Sequence, residues 1–260
     1  MRPASVGFQC PECVREGRAT VRGPRRGTRV RVFAARWGPV TTTLAALNVA
    51  VYLLTLVLAL PNGGGIMSNF DSSFFRGLSL VPACTTGEFP VLNACPGGDI
   101  QLWRLLTSAF LHYGLIHLAV NVLSLLFLGT DLERSLGKAR FAAVYLVAAL
   151  CGGAAVAMFS APVSQTVGAS GAVFGLLGAA VVFIRSRGGD LRPLISLLVI
   201  NAVISLLPGI SLLGHLGGLL GGALAALVLL ATRRRVPLQW VGLGLLAVLP
   251  VVATAVVGNV

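Results

Sequence analysis

Residues 110–129 read FLHYGLIHLAVNVLSLLFLG, an apolar run that contains two histidines and an asparagine. The remaining histidine, His215, lies in the apolar run GISLLGHLGGLLGG, and Ser170 lies in a third run, TVGASGAVFGLLGA. An ionisable side chain within a membrane is costly unless it is paired or lines a wet cavity, so it marks a candidate functional site. A serine and a histidine in separate apolar helices suggest a nucleophile and its general base.

The composition is typical of a polytopic membrane protein. The chain has 260 residues, of which 56% are hydrophobic and 11% are charged, and this excludes a disordered chain or an ordinary soluble domain. The net charge is +12, but the basic residues lie in short clusters between apolar runs, which indicates membrane topology and not nucleic-acid binding. The first apolar run follows a long Arg-rich segment and is predicted to be a retained span, not a cleaved signal.

Seven apolar runs are long enough to predict transmembrane helices, which need about 20 residues. They cover residues 40–60, 113–129, 140–160, 168–184, 191–207, 210–231 and 237–257. The predicted fold is therefore all-α. We expect residues 1–39 to form a disordered, Arg-rich tail. Residues 40–231 are predicted to form a six-helix core with a long outer loop at 61–112, and residues 232–260 a basic loop and a seventh helix.

The basic residues predict the orientation of the chain in the plasma membrane. Nine arginines precede the first span, and nine further Lys and Arg residues fall in the three connections on the same side. The other side holds only Arg76 and Arg104. Because cytoplasmic loops are enriched in Lys and Arg, we expect a cytoplasmic N-terminus and an outer loop that faces the extracellular side.

The last part of the outer loop, LWRLLTSAFLHY, allows two interpretations. Trp103 favours the headgroup level and Arg104 can extend toward it, so the segment is predicted to lie in the outer interface. Alternatively, it is the beginning of a longer second helix.

The candidate site residues fall at similar depth. His117 lies about one turn into the second span, and Asn121 lies one turn deeper on the same face. Ser170 is near the start of the fourth span and His215 is in the first turns of the sixth. Because these three spans run in the same direction, all four side chains are expected in the outer half of the membrane.

Hydrolysis of an amide needs a nucleophile, a base that takes its proton, and donors for the developing oxyanion. Ser170 is the candidate nucleophile and His215 the candidate base, without a carboxylate, since no Asp or Glu lies in a predicted span. The backbone N–H groups at the helix N-terminus around Ser170, with the side chains of His117 and Asn121, are the candidate oxyanion donors.

Glycines surround these residues. Gly168 and Gly171 flank Ser170 and would let a substrate backbone approach closely. Rows of small residues at three- or four-residue spacing predict close helix packing that would bring Ser170 to His215. The rows are Gly214, Gly218 and Gly222, then Gly217 and Gly221, and in the fourth span Gly171, Gly175 and Gly178.

Five short motifs occur in order along the chain. They are Trp103–Arg104; His112, His117 and Asn121; Gly129, Glu133 and Gly137 in the turn after the second span; Gly168, Ser170 and Gly171; and His215, Gly217 and Gly218. Together they resemble the rhomboid family of intramembrane serine proteases, from about residue 38 to about residue 231. The seventh span resembles the six-plus-one variant found in bacterial, actinobacterial-like members.

The resemblance implies specific roles. Ser170 and His215 would form the catalytic dyad, and His117 and Asn121 would donate hydrogen bonds to the oxyanion. His112 would lie near the site. The substrates would be transmembrane proteins, and no cofactor, metal or nucleic acid would be involved.

The cysteines lie outside these motifs. Cys10 and Cys13 have the spacing of half a zinc site, but residues 1–39 contain no other Cys and no His, so no zinc site is expected within the chain. This stretch resembles the end of a zinc-ribbon-like segment that precedes some relatives, and we expect that the chain starts late. Cys84 and Cys95 share the outer loop and are predicted to form a disulfide. Cys151 is predicted to be a packing residue.

Other functions fit less well. A rhomboid-like protein that binds membrane clients without cutting them is the main alternative, and retention of Ser170 and His215 argues against it. A transporter is disfavoured because no carboxylate lies in a predicted span and no internal repeat is visible. A metalloprotease is excluded by the absence of a His-Glu-x2-His motif.

Overall fold

A computed structural model describes residues 36–86, 95, 100–207 and 209–257, together with two short strands near the N-terminus. The chain divides into two compact units, residues 1–36 and residues 37–260. In the first unit, β1 (Arg2–Pro3) pairs antiparallel with β2 (Phe8–Gln9). Cys10 and Cys13 lie outside the described residues, as does most of the predicted disordered tail.

The described part of the second unit is helical. Its helices are α1 (Pro39–Ala59), α2 (Ser73–Leu78), α3 (Pro82–Thr86), α4 (Arg104–Thr107), α5 (Gly114–Leu136), α6 (Lys138–Phe159), α7 (Ser170–Ser186), α8 (Arg192–Ile204), α9 (Leu212–Ala231) and α10 (Val236–Val257). Short 3-10 turns follow α1 at Leu60–Asn62 and α4 at Ser108–Phe110. All seven predicted spans are helices, which confirms the polytopic all-helical fold. Five of them, α1, α5, α6, α9 and α10, are long enough to cross a membrane, whereas α7 and α8 are shorter apolar helices.

The second span is longer than the sequence predicted. The helix α5 continues past Gly129 to Leu136, so Glu133 lies in its last turn and only Gly137, with φ +79°, forms the predicted turn. The reason is that the Glu133 carboxylate has a partner. It accepts hydrogen bonds from the backbone N–H groups of Val40 at 3.0 Å and Thr41 at 2.8 Å, which are the unpaired donors at the start of α1.

The end of the outer loop is a separate structure and not an extension of the second helix. The helix α4 and the following 3-10 turn are separated from α5 by extended backbone at Leu111, so the alternative of a longer second helix is wrong. Within the same loop, Cys84 and Cys95 form the predicted disulfide, with their Cα atoms 5.3 Å apart.

The prediction that Arg104 extends toward the headgroups is also wrong. The side chain is fully buried, whereas the neighbouring Trp103 is half exposed. The guanidinium donates hydrogen bonds to Gln101 Oε1 at 2.6 Å and to the backbone carbonyl oxygens of Arg76 at 2.7 Å and Ser79 at 2.5 Å. Arg104 therefore holds the outer loop together from inside, because a planar guanidinium can serve several acceptors at once.

The helix α9 lies at the centre of the bundle, against α6, α7 and α10. Its contacts with α7 are glycine contacts: a Cβ atom on Gly218 would overlap the carbonyl oxygen of Gly171, and one on Gly222 would overlap that of Gly175. On the α6 side, Gly221 lies against the Cys151 side chain. The predicted packing roles of these glycines and of Cys151 are therefore confirmed.

This contact leads to a test of the packing. We expect Gly222→Ala to lower the free energy of unfolding by about 1–3 kcal/mol, because the new methyl group has no space beside Gly175. The matched control is Gly244→Ala in α10, where no atom lies within 4 Å of the added Cβ. It should be neutral or stabilising by up to about 1 kcal/mol, since alanine favours a helix more than glycine does. Thermal unfolding in detergent measures both, and equal effects would contradict the packing role.

Candidate functional site

The structure brings Ser170 and His215 together from different helices. Ser170 is the first residue of α7, and His215 lies in the first turn of α9. Ser170 Oγ and His215 Nε2 are 2.8 Å apart, within the hydrogen-bond distance expected from the sequence. The start of α9 is fixed by Ser211, whose hydroxyl accepts a hydrogen bond from the backbone N–H of Gly214 at 3.1 Å.

Two residues that the sequence did not single out hold the imidazole of His215. The ring of Phe174 stacks on it, with centroids 4.1 Å apart and an interplanar angle of 11°. Ser205 Oγ lies 2.6 Å from the second ring nitrogen, Nδ1. Phe174 could have been found, because it follows Ser170 by four residues and so shares its helix face. Ser205 had no such signal, since its position depends on the connection between α8 and α9.

His117 borders the same space as Ser170. The backbone N–H of Tyr113 points to its Nδ1 atom at 3.3 Å, so the ring proton lies on Nε2. A Cβ atom at Gly168 would lie 2.8 Å from that Nε2 atom and 3.6 Å from Ser170 Oγ. Gly168 also has φ +129°, a conformation that residues with side chains rarely adopt. The glycine therefore allows the donor Nε2–H of His117 to face the region of Ser170.

Asn121 and His112 both contact His117. Asn121 is buried one turn deeper in α5, and its Nδ2 atom donates to the backbone carbonyl oxygen of His117 at 2.9 Å. His112 is fully buried, and its ring meets that of His117 edge to face with centroids 5.1 Å apart. Burial and the neighbouring His117 lower the pKa of His112 to about 3, so its ring is neutral at physiological pH.

Two cavities adjoin these residues. A cavity of about 30 Å³ is lined by Ser170 and His215 together with Ser108, Gly168 and Ser211, and has room for one or two water molecules. A larger apolar cavity of about 230 Å³ lies between α5, α7 and α8, and Phe174 forms part of its wall. Neither His117 nor Asn121 lines either cavity among the described residues, so their access to a common water-filled pocket stays a prediction.

The chain is similar to known proteins over the part that carries these residues. The family model described as the rhomboid domain matches residues 99–232, which include Ser170, His215, His117, Asn121 and His112. The chain belongs to the rhomboid family. It is a multi-pass membrane protein, as its apolar helices indicate.

Several curated relatives are similar over long stretches. RHOMBOID-like protein 4 of Arabidopsis thaliana is 31% identical over 223 residues, covering 79% of this chain and 56% of that protein. Rhomboid protease GluP of Bacillus subtilis is 39% identical over 193 residues, covering 72% of this chain and 35% of that protein. YdcA of Bacillus subtilis is 34% identical over 141 residues, covering 52% and 71%. The chain thus spans only 35% to 56% of the length of the first two relatives.

The contact at Gly168 predicts a specific sensitivity. We expect Gly168→Ala to cost more stability than Gly63→Ala, a substitution at a glycine with φ +80° and no atom within 4 Å of the added Cβ. Both variants suffer the backbone strain of a side chain at positive φ, about 1–3 kcal/mol. Only Gly168→Ala must also displace the His117 ring. Thermal unfolding in detergent compares them, and equal losses would mean that His117 is not held against Gly168.

Proposed function

We propose that this protein is an intramembrane serine endopeptidase that hydrolyses peptide bonds in or near transmembrane segments of other membrane proteins. The observation that carries the proposal is the 2.8 Å contact between Ser170 Oγ and His215 Nε2. A nucleophile within hydrogen-bond reach of a base, with that base held by further groups, is the arrangement that acyl transfer needs. The similarity to a relative named as a protease supports it.

In the proposed reaction, Ser170 Oγ attacks the carbonyl carbon of the scissile bond while His215 Nε2 takes its proton. His215 then gives this proton to the leaving amine, which leaves an acyl group on Ser170. A water molecule, activated by the same nitrogen, hydrolyses the acyl group and restores the serine. The small cavity beside the two side chains supports this step, because it has room for such a water molecule.

The negative charge that develops on the carbonyl oxygen needs donors. The backbone N–H of Ser170 is one candidate, because the first N–H groups of α7 have no intrahelical partner. The Nε2–H of His117 is another, since the Tyr113 backbone fixes the proton on that nitrogen. Asn121 has a second amide hydrogen beyond the one that it donates to the His117 carbonyl, and we assign it to the same role.

The apolar cavity between α5, α7 and α8 is the proposed path of the substrate segment. Its walls include Phe127, Leu123 and Leu197, and it reaches Phe174, which contacts His215. Every residue of α8 is described, and none is buried. A transmembrane substrate can therefore approach the dyad from the lipid on this side through mainly apolar contacts.

The dyad predicts a sharp result. Ser170→Ala and His215→Ala should each abolish cleavage of a model transmembrane substrate, and the double variant should be no worse, because the two residues act as one unit. Labelling of the parent with a serine-directed fluorophosphonate, absent in Ser170→Ala, separates a protease from an inactive membrane-binding relative. A folded Ser170→Ala chain that still cleaves the substrate would refute the proposal.

The oxyanion role of Asn121 has its own test. Asn121→Ala should lower kcat by about 10²–10³-fold, the usual cost of removing one such donor. The matched control is Asn48→Ala in α1, because Asn48 is equally buried and makes the same bond, from Nδ2 to the carbonyl oxygen four residues earlier, at 2.8 Å. The control should cleave at the parent rate, and an equal fall in both variants would remove Asn121 from the site.

We also propose that the N-terminus is cytoplasmic, in the plasma membrane, and that the dyad faces the extracellular side, as the basic residues indicate. In a chain whose Cys10, Cys13 and Cys151 are replaced by serine, Asn62→Cys should react with an impermeant thiol reagent in intact cells. Arg234→Cys, in the connection before α10, should react only after permeabilisation. The reverse pattern would invert the orientation.

A further inference from the structure

Ser205 occupies an unusual position for a residue outside the recognised motifs. It directly follows α8 and is 3% exposed. Its hydroxyl oxygen lies 2.6 Å from His215 Nδ1 and also 2.6 Å from the backbone carbonyl oxygen of Asn201, one turn earlier. The hydroxyl therefore bridges the end of α8 and the imidazole that contacts Ser170.

The number of hydrogens decides the direction of these two bonds. A carbonyl oxygen carries no hydrogen, so its close contact with the Ser205 oxygen is attractive only if the Ser205 hydrogen lies between them. A serine hydroxyl has one hydrogen, and the bond to Asn201 uses it. The contact with His215 must then be bridged by a hydrogen on Nδ1, which Ser205 accepts.

This direction fixes the tautomer of the imidazole. A neutral imidazole carries one ring hydrogen, and placing it on Nδ1 leaves Nε2 with a free lone pair. Nε2 is the atom that lies 2.8 Å from Ser170 Oγ. His215 in this tautomer can accept the Ser170 proton, whereas the other tautomer would only donate to the serine oxygen.

We propose that Ser205 is a positioning residue that holds His215 in the proton-accepting tautomer, in the place where soluble serine proteases use a carboxylate. This inference rests on the proposed function for its catalytic meaning, but not for its structural content. When Ser170 transfers its proton to Nε2, the Nδ1 hydrogen stays in its bond to Ser205, and the Ser205 hydrogen stays on Asn201. The Nδ1 hydrogen and the Ser205 hydroxyl therefore keep their partners during this transfer.

The first test measures reactivity of the full chain. Ser205→Ala should lower kcat and the rate of fluorophosphonate labelling of Ser170 about five- to fiftyfold, because the buried Nδ1–H loses its acceptor. KM should change less than twofold, since Ser205 lines neither the cavity beside the dyad nor the proposed substrate path. Ser205→Thr keeps the hydroxyl and should recover most of the rate.

A matched control separates this role from a general effect on helix ends. Ser186 closes α7 as Ser205 follows α8, and its hydroxyl donates to the carbonyl oxygen of Phe183 at 2.8 Å but contacts no imidazole. Ser186→Ala should label and cleave at the parent rate. Equal losses in Ser186→Ala and Ser205→Ala, or parent rates in Ser205→Ala, would overturn the proposal.

The second test reads the tautomer directly and does not need protease activity. The chain has only three histidines, so ¹⁵N-histidine labelling gives few signals, and His215→Gln assigns those of His215. At alkaline pH, where imidazole is neutral, the Ser170→Ala chain should show a protonated Nδ1 and an unprotonated Nε2 at His215. Adding Ser205→Ala should produce a mixture of tautomers. An unprotonated Nδ1 with Ser205 present would refute the inference, whereas a parent chain that never labels or cleaves would refute the proposed function alone.

Discussion

The close approach of α7 and α9 is the constraint on which the rest of the structure depends. Along this contact the backbone of one helix touches the backbone of the other, as Gly218 does against Gly171. Ser170 and His215 stand at the N-terminal ends of these two helices, so the separation of the helix axes decides whether their side chains meet. In a lipid environment helices associate through packing and not through the hydrophobic effect, and glycine allows the largest packing contact.

The polar groups of the site are arranged so that the membrane tolerates them. Asn121 and Ser205 each donate one hydrogen to a backbone carbonyl oxygen four residues earlier, and His117 accepts from the Tyr113 backbone. Each bond uses one polar atom or hydrogen of the side chain. The remaining ones are the second amide hydrogen of Asn121, the lone pairs of Ser205 Oγ and the Nε2–H of His117, and these stay available to other groups of the site. A site built from neutral groups also avoids the cost of burying an ion in hydrocarbon. The same argument explains why a hydroxyl is suitable beside His215, where a carboxylate would be costly.

The sequence predicted the seven helices and the residues that meet at the site, because both depend on local patterns. Apolar length gives the spans, and the direction of each span gives the depth of Ser170 and His215. Prediction from the sequence was wrong where a polar side chain bonds to a partner far along the chain. Arg104 is predicted to extend toward the headgroups, but its guanidinium is buried and donates to carbonyl oxygens of the outer loop. Glu133 is predicted to lie in a turn, but its carboxylate accepts a backbone N–H at the start of α1. Such pairings depend on tertiary contacts that no spacing rule contains.

Ser205 was missed for a related reason, and its position has a mechanical consequence. Spacing rules relate residues on one helix, whereas Ser205 reaches His215 across the connection between α8 and α9. His215 belongs to α9, whose glycines contact the backbone of α7 directly. Its Nδ1 atom, however, is bonded to Ser205 at the end of α8, a helix in which no residue is buried. If Ser205 sets the tautomer, the nucleophile is activated only while the end of α8 stays in place. The span without a buried residue would then control this hydrogen bond, because Ser205 follows α8 directly, whereas the contact between α7 and α9 does not involve α8.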